Sequence, residues 1–243
     1  MDHDALAFLA RSGMVGLPSA AQSAGGVSAV HRVYESLRQK IINLDLPPNT
    51  VLTRTELALQ YDVSQTPLRE ALQKLEGDGL VEIVPQSRTT VSRLVTSEIR
   101  EAHFLRVAIE TEVMRRLGKD CDPTVIKRLE TILTMQEALA GNPEELPTFQ
   151  ELDEAFHQTL LAGAGQPGLH NLLRARSGHL NRLRRLHLPG PGKIANILKG
   201  HHEIIAALTA HDPEAGQQAI RDHLSQTISR VDDLRREYPD YFA

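Results

Sequence analysis

Asp153 and His157 stand four residues apart in the stretch LDEAFHQTLL. On an α-helix that spacing puts both side chains on one face, a turn apart. Two further histidines, His201 and His223, fall on later segments with helical patterning. One Asp and three His are a donor set for a divalent ion such as Zn²⁺, Ni²⁺ or Mn²⁺. Spacing alone leaves other readings open. With 11 histidines in the chain, an (i, i+4) Asp/His pair also arises by chance, as a surface hydrogen bond. His202 can substitute for His201 if the helix is rotated. His179 and His187 can stand in a cavity wall, or be solvated or core histidines.

A second group suggests different chemistry. Ser64, Gln65, Thr66 and Arg69 lie at the start of the stretch VSQTPLREAL. Small hydroxyls, an amide and a guanidinium at a helix N-terminus suit base edges and phosphates in a DNA major groove, where free N–H groups also point at phosphate. The bland reading of Arg69 is an ion pair with Glu70, Glu76 or Asp78, and Gln65 can be merely solvated.

Those residues need elements to hold them. From Val30 to Leu44, apolar side chains at Val30, Val33, Leu37, Ile41 and Leu44 predict one helix, stopped by DLPPNT. TRTELALQY predicts a short second helix, capped by Thr53 or Thr55. Ser64 caps a third, with Pro67 in its first turn and Leu68, Leu72 and Leu75 inward; Gly77 or Gly79 ends it. LVEIV and TTVSRLV predict two strands joined by PQSR, with Arg88 at the hairpin tip. Three helices and a hairpin make a winged helix-turn-helix whose third helix reads DNA. Arg54 and Thr55 at the second helix and Arg88 on the wing are further candidates for DNA contact.

Beyond Thr96-Ser97 the pattern is helical throughout. Helices are expected at about 97–118, 122–140, 146–163, 167–187, 193–210 and 212–237, broken by GNPEELP, GAGQPG, LPGPG and HDP. Helices of this number and length imply an antiparallel bundle. The fold class is therefore mainly α, in three parts: a flexible tail over 1–27 with a short helix at DALAFLARS, a DNA-binding domain over 28–95, and an all-helical effector-binding and dimerisation domain over 96–243.

Composition is consistent with this. Aromatics are 4% and Trp is absent, so Leu, Ile, Val and Ala must fill the cores. The net charge is −4, and residues 28–95 carry eight Lys/Arg against eight Asp/Glu. DNA binding must then come from local placement of arginines. The single cysteine, Cys121, excludes an internal disulfide and suits a reducing cytoplasm. No apolar run approaches the ~20 residues of a membrane span. A soluble, cytoplasmic protein is expected.

The residues resemble a known family. LPPNTVLTRTELALQYDVSQTPLREALQKLEGDGLVEIVP is similar to the DNA-binding domain of GntR-family bacterial regulators. The motif VSQTPLREAL followed by L-x-x-D-G-L-V carries that likeness. LRVAIE at 105–110, DEAFH at 153–157, HHEIIAALTAHD at 201–212 and AIRDHL at 219–224 resemble the FCD domain of the FadR-like branch. The resemblance spans about 30–235. It departs at Gln65, where the family usually has Arg, and in the wing, where SRTT replaces a frequent Gly. Arg reads guanine bidentately and Gln prefers adenine, so the operator should differ.

The FCD resemblance implies that Asp153, His157, His201 and His223 are the metal ligands, the register of HHEIIAALTAHD selecting His201 over His202. Four protein ligands leave positions open on a six-coordinate ion. A small organic acid can fill them, with Arg106 or Arg221 to pair its charge. Arg106 can instead pair with Glu101 or Glu110. RLRRL at 182–186 reads as a solvated helix face, although one of its arginines can point into the cavity. The function expected is a homodimeric, effector-responsive repressor of double-stranded operator DNA. The alternatives are a regulator for which the metal is the signal and, from another class, a metal-dependent enzyme acting on a small carboxylate.

Overall fold

A computed structural model describes residues 28–243; the tail and its expected short helix lie outside the described residues. Three helices open the chain: α1 (Ala29–Ile42), α2 (Arg54–Tyr61) and α3 (Gln65–Gly77). An antiparallel hairpin follows, β1 (Val81–Val84) with β2 (Arg88–Val91), in the register Val81↔Val91 to Val84↔Arg88. Val33, Leu37 and Ile41 of α1 meet Leu68, Leu72 and Leu75 of α3 in one core, which Leu80, Val81 and Val91 of the hairpin close. Burying each of these side chains contributes about 1.5–3 kcal/mol, and Leu57, buried in the same core, anchors α2, which is too short to be stable alone.

The helical half comprises α4 (Thr96–Leu117), α5 (Pro123–Leu139), α6 (Leu146–Gly163), α7 (Gly168–Arg176), α8 (Gly178–His187), α9 (Lys193–Thr209), α10 (Pro213–Ile228) and α11 (Val231–Glu237). Met114, Leu129, Ile132, Phe156, Leu160, Ile204, Leu208 and Ile220 are all fully buried in its main core. Asp122 and Asp212 cap α5 and α10 with their carboxylates, and each is followed by proline.

Several expectations need correction. Helix α1 ends at Ile42, before the prolines, because Leu44 takes a left-handed conformation at φ 66. The second strand stops at Val91; the Ser92 N–H still donates to Leu80 in the hairpin register, and Leu94 then pairs with the Tyr241–Phe242 segment instead. Arg88 opens β2 one residue after the turn; the tip is Pro85–Ser87, with Gln86 at φ 58. Residues 167–187 form two helices. Ser177 breaks them by giving its hydroxyl to the Leu173 carbonyl at 2.6 Å, and Gly178 lies where an added Cβ would stand 2.8 Å from Leu80. The break thus lets α8 press against the N-terminal half. Residues 212–237 are also two helices, parted at Ser229-Arg230. The chain end then returns to the linker: Leu94 N–H donates to Tyr241 at 2.7 Å and Ala243 N–H to Leu94 at 2.9 Å.

Candidate metal centre and nucleic-acid interface

Asp153 and His157 project from α6, His201 from α9 and His223 from α10, all buried. One donor atom from each lies within 4.8 Å of the others. The Nε2 atoms of His157 and His223 are 3.2 Å apart, and His201 Nε2 is 3.5 Å from Asp153 Oδ1. His202 is exposed and faces Glu137 at 2.8 Å, so the rotated alternative does not reach this group.

Outer partners orient two of the rings. His157 Nδ1 meets Glu110 Oε2 at 2.5 Å, and Arg106 Nε holds the other Glu110 oxygen at 2.6 Å. His201 Nδ1 meets Gln136 Oε1 at 2.8 Å. Gln136 gives its amide N–H to the Phe149 carbonyl, which turns its oxygen toward the ring. Both outer partners are acceptors. Each Nδ1 therefore carries the hydrogen and each Nε2 presents a lone pair to the centre. Phe156 stacks on His201 with ring centroids 3.8 Å apart and fixes its plane.

Such an arrangement asks for a cation. Burial pushes His201 down to about 4, against the pull of Asp153. Burial, with the neighbouring rings of His201 and His157, pushes His223 well below its usual value. Burial alone would raise the Asp153 carboxyl, but the Arg184 guanidinium, with His201 and His157, holds it well below the ordinary carboxylate range. One N–H···N bond can satisfy His157 and His223. Asp153 Oδ1 and His201 Nε2 have no hydrogen-bond partner at all. A carboxylate lone pair facing an imidazole lone pair in a buried site is repulsive unless a positive ion sits between them. The donor set fits a divalent ion.

Gly200 makes the fit close. A Cβ there would stand 2.7 Å from His223 Nδ1. Gly200→Ala should displace the ring and lower metal affinity by about tenfold to a hundredfold, the range seen when an orienting contact is lost. Competition with a chromophoric chelator reads this directly, and unchanged affinity would mean that α9 can shift away.

A narrow cavity of about 30 Å³ adjoins the centre. Its polar wall includes Arg106, Gln150, Asp153, Arg184, Lys193 and His223. Arg184 forms an ion pair with Asp153. It is one of the RLRRL arginines, and only its neighbours explain why it turns inward. Arg106 is at the cavity as expected and also keeps its Glu110 partner. Arg221 does not join them: it is exposed on α10, because two residues from His223 is more than half a turn around the helix. Glu110, Gln136, Arg184 and Lys193 are the site residues that the sequence did not single out. The (i, i+4) spacing of Arg106 and Glu110 was the one available signal.

The DNA-contact candidates Arg54, Thr55, Ser64, Gln65, Thr66, Arg69 and Arg88 are all exposed. Thr55 and Leu59 of α2 face Ser64 and Gln65 across one groove, and Arg54 faces Arg88 of the wing across another. Ser64 occupies the N-cap position of α3, but its hydroxyl makes no capping bond. Two of the three acids that could pair with Arg69 are engaged elsewhere: Asp78 accepts from Tyr34, and Glu76 from the Ile83 N–H at 3.2 Å; Glu70 is exposed on α3.

Polar contacts join the two halves. Arg174 of α7 donates to both Glu35 carboxylate oxygens on α1, at 3.0 and 2.5 Å. Its Nε lies 3.7 Å from Glu154, the residue after Asp153. Arg38 of α1 donates to the Arg174 carbonyl at 3.0 Å, and Gln39 to Glu151 of α6 at 3.0 Å. Arg182, fully buried, donates to the Ser92 carbonyl at 2.6 Å. His179 Nδ1 accepts the Val95 N–H at 3.1 Å, and burial, then Arg182, pushes this ring down to about 3. His179 is thus a wall of the interdomain contact.

Comparison with known proteins places this geometry. Residues 29–91 match the model described as bacterial regulatory proteins, gntR family, and residues 101–226 match the FCD domain. An uncharacterized HTH-type transcriptional regulator from an unstable DNA locus of Streptomyces ambofaciens is 35% identical over 212 residues, 87% of this chain and 88% of that protein. The Escherichia coli HTH-type transcriptional repressor RspR is 30% identical over 212 residues, covering 87% and 92%. The solved structure of E. coli McbR/YncC has the same fold, with a TM-score of 0.74 over 86% of this chain and 99% of that one at 19% identity.

Proposed function

The chain belongs to the gntR family of bacterial regulatory proteins, with an FCD domain as its helical half, and on that premise we propose that it is a repressor whose hold on operator DNA is released by a small organic acid bound at a divalent ion. In this reading residues 28–95 bind DNA, 96–243 bind the effector and pair two chains, and 1–27 are a tail. Pairing follows from DNA geometry: two recognition helices on a pseudo-palindromic site need a two-fold protein. A cytoplasmic location agrees with the absence, among the described residues, of any helix long and apolar enough to cross a membrane.

The observation that carries the reading is the buried donor set of Asp153, His157, His201 and His223 beside a cavity lined by Arg106 and Arg184. When bound, a divalent ion supplies positive charge and open positions for a carboxylate. The chain's own residues do the rest. Glu110 and Gln136 hold the His157 and His201 rings in their donor tautomers. Arg184, which pairs with Asp153, stands in the cavity wall as a cation for an entering acid. Any shift of α6 is passed to α1 through Glu154, Arg174 and Glu35.

Fluorescence anisotropy tests this on a duplex selected from a random pool by the protein itself. Metal-loaded protein should bind it and be released by an organic acid, while chelated protein should ignore the acid. Release by the metal alone would make the ion the signal instead. Glu35→Gln removes the charge that holds Arg174. It should leave operator affinity within about threefold but blunt the effector response about fivefold or more, the scale of a coupling free energy of 1–3 kcal/mol. An unchanged response would exclude this contact as the link.

A further inference from the structure

Three cationic side chains line the cavity, and their partners are unequal. Arg106 has Glu110 at 2.6 Å, and Arg184 has Asp153. Lys193, the first residue of α9, has only a neutral partner: its Nζ donates to the Gln226 amide oxygen at 3.1 Å. Yet Lys193 is 6% exposed. A buried ammonium without an anionic partner is costly, and such groups persist where a counter-ion arrives.

Charge counting around the cavity gives the same result. The Arg106–Glu110 and Arg184–Asp153 pairs cancel. Burial favours the neutral rings of His201 and His223. What remains is the Lys193 charge and, once loaded, the two charges of the divalent ion. That sum is three positive charges, so a dianion offsets more of it than a monoanion does. The same wall also carries apolar side chains: Phe149, Leu188 and Ile197 form their own small cluster. Such a wall suits methylene carbons between two charged ends. We infer that Lys193 receives a second carboxylate, so that the effector is a short dicarboxylate with one end at the metal centre and the other at Lys193.

This rests on the reading that an organic acid binds at the metal. Burial, then Arg184, pushes Lys193 down to about 8, which leaves it mostly protonated at neutral pH. Nearby His187 is pushed down to about 4, first by burial and then by Lys193 and Arg230, as an unbalanced positive corner requires. Gln150 Oε1 in the same wall is buried without a partner and can accept from a hydroxyl on the acid.

Isothermal titration of the full-length metal-loaded protein against matched acids tests the inference. The pairs are malonate with propionate, succinate with butyrate, and glutarate with valerate. In the wild type one dicarboxylate should bind at least about tenfold tighter than its partner, the scale of one charge-assisted contact. Lys193→Met should abolish the preference, the dicarboxylate falling to the affinity of its monocarboxylate partner; Lys193→Arg should keep part of it. Equal metal content and thermal midpoint in the variants show that they are folded. Metal-dependent binding of monocarboxylates with no dicarboxylate preference, or a preference that survives Lys193→Met, overturns the inference alone. Binding of every acid that is indifferent to metal, or no binding at all, overturns the underlying reading and the inference with it.

Discussion

His201→Ala is expected to empty the metal centre. Elemental analysis should find about one divalent ion per wild-type chain and little in the variant, because four protein ligands become three and the lost one is the best oriented. His201 Nε2 has no other partner, its Nδ1 is held by Gln136, and Phe156 fixes its plane. The truncation also removes a fully buried ring and costs stability on its own account, about 2–4 kcal/mol by analogy with other large-to-small core changes. A chelator separates the two effects. Metal that binds only the folded chain raises its melting temperature, so chelation should lower the wild-type Tm and leave the variant unmoved. His201→Gln, closer in volume, should lose the ion with a smaller intrinsic penalty. Normal metal occupancy in His201→Ala would remove that residue from the site. Operator binding without effector should survive in part, since the helix that reads DNA belongs to a separate core.

Much of this architecture is legible in the sequence, for reasons that differ between the two halves. In the DNA-binding half the signals are local. Leu68, Leu72 and Leu75 repeat at helical spacing and are all fully buried, and Gly79 takes the left-handed turn at φ 70 that leads into the hairpin. Asp153 and His157 are legible for the same reason, since one helix turn suffices to bring them together. His201 and His223 are brought to them by helix packing, which no spacing encodes; only the family resemblance selected them. Arg184 shows the limit. In RLRRL every arginine looks alike, yet Arg182 is buried against Ser92 and Arg184 turns into the cavity toward Asp153 on another helix. Arg221 could have been excluded, because a residue two positions from an inward histidine faces outward. The break at Ser177 and the return of Phe242 to Leu94 depend on contacts between distant segments, to which local periodicity is blind.

Arg69→Ala should weaken operator binding about tenfold to a hundredfold, and Gln65→Arg should change which operator is chosen. Both follow from the geometry of α3. Gln65 is its first residue and Arg69 lies one turn on, so the two side chains share an exposed face. A charge-assisted hydrogen bond to a phosphate or base contributes about 1.5–3 kcal/mol, and its loss gives the expected factor. If Arg69 meets phosphate, the affinity falls alike on all sequences and the salt dependence becomes shallower by about one ion per contact. If it meets a base, the loss is confined to the preferred operator. Gln65 has the sharper signature. An amide pairs with adenine N6 and N7, whereas a guanidinium pairs with guanine O6 and N7, and each good bidentate pair discriminates by about 1–3 kcal/mol. Selection from random duplexes should therefore give Gln65→Arg a consensus that differs from wild type at one base pair per half-site, adenine giving way to guanine. Identical consensus sequences would show that Gln65 is solvated in the complex. The reading of bases would then fall to Thr66 and Arg69, with the wing arginine Arg88 acting across the groove it shares with Arg54.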